Sequence, residues 1–408
     1  MTDLTIRPLT PDELPDMVRA FQRLFGEETT PDSQAAEIDP LDPSRCVGAF
    51  AADRIVGHVG IYPLDIAVPG ATAPLCAITL VFVDTTHRRK GLGKALMLRA
   101  MHQADEPVAA LWASRPGFYE RLGFEAGMAS SLMSIDVGDT VPLRPNAPTL
   151  DDVRRVPPAI AEIDLPRVYD QARQFRPGLT SRDTRWWKHR FIGDAEWRRF
   201  GGGELQTVVA YRDDEPVAYA IFNLKSSFDH LGPNHEMIVH EAVAINPVDE
   251  AALLAWLCQV DLVGKVTAWW RPADDALNFC LVQPRHAETK TTESLYVRIL
   301  DVPKAIAARH YFADLSCVVR IVDDHLERNN GVWRFTLGAS GGRAERIADS
   351  AAVDCTMDIR GLAALWLGGY SVHTLIGAQL ITIHTPALTL ALHQAFSSPV
   401  APWCPEVW

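Results

Sequence analysis

The sequence predicts an α+β protein built of three successive units, the second a copy of the first in shape. Three observations lead there. First, a β-branched, apolar run (Ala77–Val83) feeds a basic, glycine-bearing turn, Arg88-Arg89-Lys90-Gly91-Leu92-Gly93, and then the helix-forming stretch Lys94–Met101. Second, a weak repeat recurs at a steady offset of 161 positions: Ala49-Phe50 falls on Ala210-Tyr211, Val56 on Val217, Ile61 on Phe222, and Phe82-Val83 on Val243-Ala244. Third, 408 residues exceed one ordinary core, and the strand pattern changes character near Asp301.

The first unit is expected over residues 1–140. Leu4–Leu9 reads as an opening strand, and Thr10 with Asp12 offers caps to a helix carrying Leu14, Met17, Val18, Phe21 and Leu24-Phe25. Val47–Phe50 and Ile55–Ile61 form a hairpin about Ala52-Asp53-Arg54, ahead of the strand, turn and helix already described. The apolar run Val108–Trp112 follows, then Gly117-Phe118-Tyr119-Glu120-Arg121-Leu122-Gly123-Phe124. A proline-rich segment from Val141 to Pro158 is the candidate linker. The second unit, residues 150–300, repeats hairpin, strand and helix; the competing reading is two unrelated hairpins. The third unit, 301–408, has strands at Cys317–Val322, Val332–Leu337 and Cys355–Ile359. Ile359–Gly369 then suggests an apolar helix ended by glycine, and Thr385-Pro386 the start of a last helix. The tail is Trp403-Cys404-Pro405-Glu406-Val407-Trp408.

The informative point is where the copies differ. Arg88 and Arg89 fall on Asp249 and Glu250, Gly91 and Gly93 on Ala252 and Leu254, and Tyr119 on Cys280. In the first copy, a basic turn at a helix start offers unpaired N–H groups and room for a pyrophosphate. In the second copy, carboxylates repel such a group and larger side chains block it. The first unit is therefore expected to hold a nucleotide-like cofactor and the second to have lost the site.

Bulk properties exclude some classes. A net charge of −12 argues against a nucleic-acid partner and suits a cationic substrate. No apolar run reaches membrane-spanning length, and Asp3 and Arg7 break any signal-peptide pattern. The seven cysteines lie far apart with no C-x-x-C pair, so neither a zinc site nor a disulfide framework is indicated; most read as buried, reduced thiols of a cytoplasmic protein. His58, His87, His102, His235 and His240 show no metal-ligand spacing and read as surface or core residues; no metal is expected.

An R-x-x-G-x-G turn followed at this distance by a strand and F-Y-x-x-L-G-F resembles the GNAT superfamily of N-acetyltransferases. Two such units and a strand-and-helix domain, with Leu295–Pro303 and Leu365-Trp366-Leu367-Gly368-Gly369, resemble the Eis (enhanced intracellular survival) family over the whole chain. The resemblance implies two tandem GNAT-like domains and a sterol-carrier-like third, acetyl-CoA as cosubstrate, primary amines of aminoglycosides or related polycations as acceptors, and a homohexamer. Main-chain groups of Val81, Phe82 and Val83 would hold the pantetheine arm and polarise the thioester. Arg88, Arg89, Lys90, Gly91, Leu92, Gly93 and Lys94 would form the pyrophosphate turn, and Ser114 and Arg115 would lie along the cofactor.

The same resemblance makes Tyr119 the general acid and the terminal carboxylate, here of Trp408, the base. Phe25 and Glu27, with Glu28 beside them, match an aromatic and an acid lining the amine pocket. The chain departs from the family in ending on Trp408 where phenylalanine is familiar, and in placing Glu406 two residues from the end, which puts its substrate role in question. From the residues alone, alternatives stay open. Tyr119 either donates a proton or only packs in the core. An α-carboxyl with a pKa of about 3.5 either relays a proton or merely binds the cation, or belongs to a frayed tail. Acetylation of protein lysines or a small metabolite amine is the alternative within enzymes. A lipid-binding or scaffold protein using the third unit is the alternative outside them.

Overall fold

A computed structural model describes residues 4–138, 142–230 and 232–408. In chain order the first elements are β1 (Leu4–Pro8), α1 (Leu14–Phe25), α2 (Pro31–Ile38), β2 (Val47–Ala51), β3 (Arg54–Val68), β4 (Ala71–Val83), α3 (Leu92–Gln103), β5 (Val108–Leu111), α4 (Pro116–Glu120), β6 (Glu125–Ala126) and β7 (Ala129–Asp136). Next come β8 (Val153–Arg155), α5 (Pro158–Arg173), α6 (Thr184–Trp187), β9 (Gln206–Arg212), β10 (Glu215–Lys225), the short pair β11 (Phe228–Asp229) and β12 (Gly232–Pro233), β13 (His235–Ala244), α7 (Pro247–Leu257), β14 (Val263–Pro272), α8 (Leu277–Cys280), β15 (Ala287–Glu293) and β16 (Tyr296–Ile299). The last are α9 (Val302–Ala307), β17 (Leu315–Val322), β18 (Gly331–Gly338), β19 (Gly341–Arg346), β20 (Cys355–Asp358), α10 (Ile359–Trp366), α11 (Val372–Gly377), β21 (Ile381–Ile383) and α12 (Leu388–Phe396). The α+β class expected from the sequence is the class observed.

The chain forms two compact bodies. The first comprises Met1–Met128, Glu293–Pro402 and Val407–Trp408; the second comprises Ala129–Thr292 and Trp403–Glu406. The first body holds a seven-stranded sheet in the order β1-β2-β3-β4-β5-β16-β6 and a five-stranded sheet in the order β19-β18-β17-β20-β21. The second body's main sheet, read from the opposite edge, runs β8-β9-β10-β13-β14-β7-β15. The two orders are the same topology with one strand exchanged: β16 fills the sixth place of the first sheet, and β7 fills it in the second. Each sheet thus takes that strand from beyond the sequence range expected for its unit, 1–140 or 150–300. Of that boundary, residues 139–141 lie outside the described residues. The expected linker is structured after that, with Leu143 bridging Leu281 and β8 pairing with β9.

The 161-residue offset survives as strand register. Gly57–Val83, His58–Phe82 and Ile61–Ile78 in the first sheet match Ala218–Ala244, Tyr219–Val243 and Phe222–Val239 in the second. The match ends where β13 ends. Asn246 caps the N–H groups of Val248 and Asp249, and Pro247 takes the first helical position, so α7 starts at once. The first copy instead spends the residues between β4 and α3 on a turn.

Elsewhere, Glu13 accepts from the Thr10 N–H at 2.8 Å and from Arg7 at 2.6 Å, fixing the entry to α1. The last helix starts later than its expected Thr385 cap, at Leu388, because the Thr385 hydroxyl donates to Asp354 at 2.8 Å instead. All seven cysteines are buried and unbridged. No helix among the described residues is long and apolar enough to cross a membrane.

Candidate active site

β4 carries the site because it loses its neighbours one side at a time. Toward β5 the parallel ladder pairs Leu75–Val108, Cys76–Ala109 and Ala77–Ala110, and no pair follows. Toward β3 the ladder is interrupted: Thr79 faces Gly60 and Phe82 faces His58, leaving Leu80 and Val81 opposite the single residue Val59. Two residues against one is a β-bulge, and Leu80 takes the left-handed backbone that goes with it (φ +49°). The result is a stretch of main chain, Ile78–Val83, whose polar groups on the β5 side have no ladder to join. Trp408 reaches this opening, and its indole Nε1–H donates to the Ile78 carbonyl at 3.2 Å. The indole thus ties Trp408 to the main chain of β4.

The basic turn lies at the end of the same strand. Arg89 (φ +60°) and Gly91 (φ +81°) are both left-handed, which brings the chain round onto the start of α3. The first helical bond runs from Ala95 N–H to Gly91 C=O at 3.0 Å, so the N–H groups of Leu92, Gly93 and Lys94 have no carbonyl one turn back. Arg88 folds its Nε onto the Val83 carbonyl at 3.0 Å, and Lys90 places its Nζ 3.2 Å from the Thr86 carbonyl; these two brace the turn. Arg88, Arg89, Lys90 and Lys94 are exposed. Gly93 is held for another reason: a Cβ there would meet the Phe118 ring at 3.3 Å.

Tyr119 sits in the last turn of α4, 4% exposed, with Phe118 and Phe124 edge-on at 5.0 and 6.0 Å. Burial pushes its phenol above the ordinary tyrosine value, and a hydrogen bond from the Ser114 side chain opposes that only partly. Ser114 and Arg115 lie in the exposed loop between β5 and α4, with Arg115 at the N-cap.

At the other side of the sheet, Phe25 is 47% exposed and stacks on Phe21 at 4.4 Å, and Phe21 in turn meets Phe82 at 6.4 Å. Glu27 follows the Gly26 cap. Crowding by protein raises its carboxyl above the usual range although the residue as a whole is exposed, and the Glu37 carboxylate adds to the effect. Glu37 accepts from the buried Tyr62 hydroxyl at 2.9 Å. Neither Glu37 nor Tyr62 was singled out by sequence, because their proximity to Glu27 is set by the fold of α1 and α2 over β3.

Glu406 is different. Its carboxylate is buried in the second body and accepts from Thr180 (2.6 Å), Trp186 Nε1 (2.6 Å), Arg182 (3.2 Å) and Tyr169 (3.4 Å). Arg182 also donates twice to Glu241 (3.0 and 2.6 Å). Buried and holding four donors, this carboxylate anchors the tail within the second body. The second copy does not keep a phosphate turn. Its α7 start is closed by Asn246, while Asp249 pairs with Arg212, and Glu250 pairs with Arg271 and Arg176.

Among the described residues, no group of three or more His, Cys, Asp or Glu side chains is arranged to hold a metal ion.

Comparison with known proteins matches three successive stretches of the chain. Residues 5–127 match the family described as "Acetyltransferase (GNAT) domain", residues 178–299 match a second family of that description, and residues 302–405 match "Sterol carrier protein domain". A Streptomyces avermitilis protein named "Uncharacterized N-acetyltransferase" is 35% identical over 370 residues, covering 89% of each chain. "N-acetyltransferase Eis" of Mycobacterium bovis is 28% identical over 414 residues, covering 97% of this chain and 98% of the other. In fold, the chain is similar to the crystal structure of Eis1 from Mycobacterium abscessus, with a TM-score of 0.84 and 24% identity over the whole of both chains.

Proposed function

The chain belongs to the Eis family of GNAT-superfamily N-acetyltransferases, and from that premise we propose that its first unit transfers an acetyl group from acetyl-CoA to a primary amine of a polycationic acceptor such as an aminoglycoside. The observation that carries the reading is the sequence of openings along one strand. A bulge and a splayed edge in Ile78–Val83 lead directly into the unsatisfied N–H groups at the start of α3. A long thioester cofactor needs those features in that order: amides for its carbonyl and pantetheine arm, then a positive helix end for its diphosphate. Val81, Phe82 and Val83 would serve the first part, and Arg88 through Lys94 the second, with Ser114 and Arg115 alongside. The second unit keeps a bulge and a parted ladder in β13 but has no glycine-bearing turn at the end of that strand, since Asn246 and Pro247 start α7 at once, and it would be structural.

The chemistry divides among few groups. The amine nitrogen bonds to the thioester carbon, the C–S bond breaks, one proton leaves the amine and one must reach the departing sulfur. Holding both reactants on one sheet removes much of the entropic barrier. A main-chain N–H facing the oxyanion contributes on the order of 3 kcal/mol. Tyr119 supports the role of acid: it is buried, and its raised pKa keeps it protonated through the neutral range. The terminal carboxylate of Trp408, tethered by its indole, is suited to take the amine proton. Phe25, Glu27 and Glu37 would meet the cation, since the Glu27 carboxyl, raised by burial and by the neighbouring Glu37 carboxylate, gains from a positive neighbour. A homohexamer and a cytoplasmic site of action belong to the same reading.

The direct test is thiol release from acetyl-CoA with a panel of aminoglycosides, linear polyamines, lysine peptides and small monoamines. The reading expects release with the polycations at rates at least about tenfold above the monoamines, as one further well-paired charge is worth about 1.4 kcal/mol. Release with peptides alone would move the substrate to protein lysines. No release with any amine, despite binding of CoA, would leave a non-enzymatic binding protein.

A further inference from the structure

We propose that His58 is a positioning residue for acetyl transfer, setting the direction of the main-chain N–H that polarises the thioester; the inference rests on the acetyltransferase reading above. His58 lies on β3 with none of its surface exposed. Its Nδ1 is 2.9 Å from the carbonyl oxygen of Leu80, the left-handed residue of the β4 bulge. A carbonyl only accepts, so Nδ1 carries the hydrogen and Nε2 is the bare acceptor. Nε2 is buried without a hydrogen-bond partner, as is the Thr79 hydroxyl on the strand beside it. A leucine at positive φ is strained and persists only where its surroundings hold it. Among the described residues of the first body, the His58 ring is the side chain that bonds this carbonyl.

The consequence follows from peptide geometry. Among the described residues no peptide bond is cis, so the Leu80–Val81 peptide is planar and trans, with its C=O and N–H antiparallel. With the Leu80 carbonyl pinned to a ring on β3, the Val81 N–H is turned away from β3, toward the side that β5 has left. Burial also keeps the imidazole neutral, lowering its pKa to about 4, so the tie does not titrate in the working range. The second copy points the same way. At the offset of 161, His58 corresponds to Tyr219 and Leu80 to Glu241, and there the Tyr219 hydroxyl donates to the Glu241 side chain. The same two places are joined in both copies, but in the second the bond ends on a carboxylate that Arg182 also holds. Only in the first does it end on the main chain and orient a peptide.

The test compares three variants of the full-length protein. His58→Asn keeps an N–H near the Nδ1 place, His58→Gln moves it outward, and His58→Leu removes it. Readouts are kcat, KM for acetyl-CoA, thermal unfolding, and the infrared carbonyl band of bound [¹³C=O]acetyl-CoA measured without amine. We expect kcat of the Leu and Gln variants to fall about 10- to 100-fold, less than removal of an oxyanion donor outright, because the N–H remains and is only misdirected. KM for acetyl-CoA should stay within about threefold, since the diphosphate contacts are untouched. The Asn variant should recover to within about threefold of wild type. The bound carbonyl band should lie below its solution frequency in wild type and Asn, and return toward it in Leu and Gln. Unchanged kcat and band in the Leu or Gln variant, or an Asn variant no better than they are, would overturn the role of His58. A wild-type protein that releases no thiol with any amine would instead sink the acetyltransferase reading itself.

Discussion

Tyr119 is the residue whose environment bears most directly on the chemistry. Its burial disfavours the phenolate, so the acid form is present at every pH below a raised pKa and is lost only above it. The rate should therefore rise as the acceptor amine and the base deprotonate, and show no alkaline decline before about pH 10, the ordinary tyrosine value. A kcat profile that turned down near pH 8 would point to a different acid. Tyr119→Phe is expected to lower kcat by about 10²–10⁴-fold while the dissociation constant for acetyl-CoA stays within a factor of about two. At the far end of the chain, Trp408→Phe should keep the terminal carboxylate but lose the bond to Ile78, costing roughly 1 kcal/mol of tethering, about fivefold in kcat. Appending a few residues after Trp408 displaces the carboxylate itself and should cost far more; full activity in that extended protein would remove the base from the site.

The turn between β4 and α3 is the element most plainly written in the sequence, because its chemistry is local. Two left-handed residues, a basic run and a helix start occupy consecutive positions, and nothing distant is needed to recognise them. Gly91 has open space where a Cβ would go, but its φ of +81° penalises any side chain. Gly91→Ala should cost about 1 kcal/mol of stability and weaken acetyl-CoA binding several-fold, measured by thermal unfolding and calorimetry. Gly93→Leu should be worse for binding, since its Cβ already presses on Phe118. Other elements were not legible because their partners lie far away. β16 pairs with β5 through Tyr296–Leu111 and Ile299–Val108, and four residues carry too little pattern to say which sheet they join. The second copy's helix begins early because of the single cap Asn246, which position-by-position alignment through the turn misses. His58 looked like any core histidine. Its significance depends on a bulge in the neighbouring strand, which no short window contains.

At the scale of the molecule, two copies of one topology have diverged, and the first keeps a glycine-bearing turn where the second starts its helix at once. The first opens along β4. In the second, the cluster of Arg182, Glu241 and Glu406 is buried, with the guanidinium 3.7 Å from the Tyr169 ring and 3.6 Å from that of Phe191. Buried ion pairs add little net stability but are costly to break from one side, about 3–5 kcal/mol. Glu406→Ala should therefore lower the unfolding transition of the second body by that order, and an unchanged melting profile would contradict the anchoring role. In the first body, the Asp323 carboxylate is buried, which alone would raise its pKa, but two bonds from Arg298 at 2.7 and 2.8 Å outweigh this and lower it. A depressed carboxyl pKa contributes stability above the unfolded value, lost as pH falls through the folded one. Asp323→Asn should flatten the acid limb of the stability curve below about pH 4.

The most direct measurement is calorimetric titration of the whole protein with acetyl-CoA, alongside a variant carrying Arg88→Ala and Arg89→Ala. The account predicts one molecule bound per chain, with affinity reduced at least about tenfold in the variant. Two molecules per chain, no heat of binding, or an affinity indifferent to the loss of both arginines would contradict it.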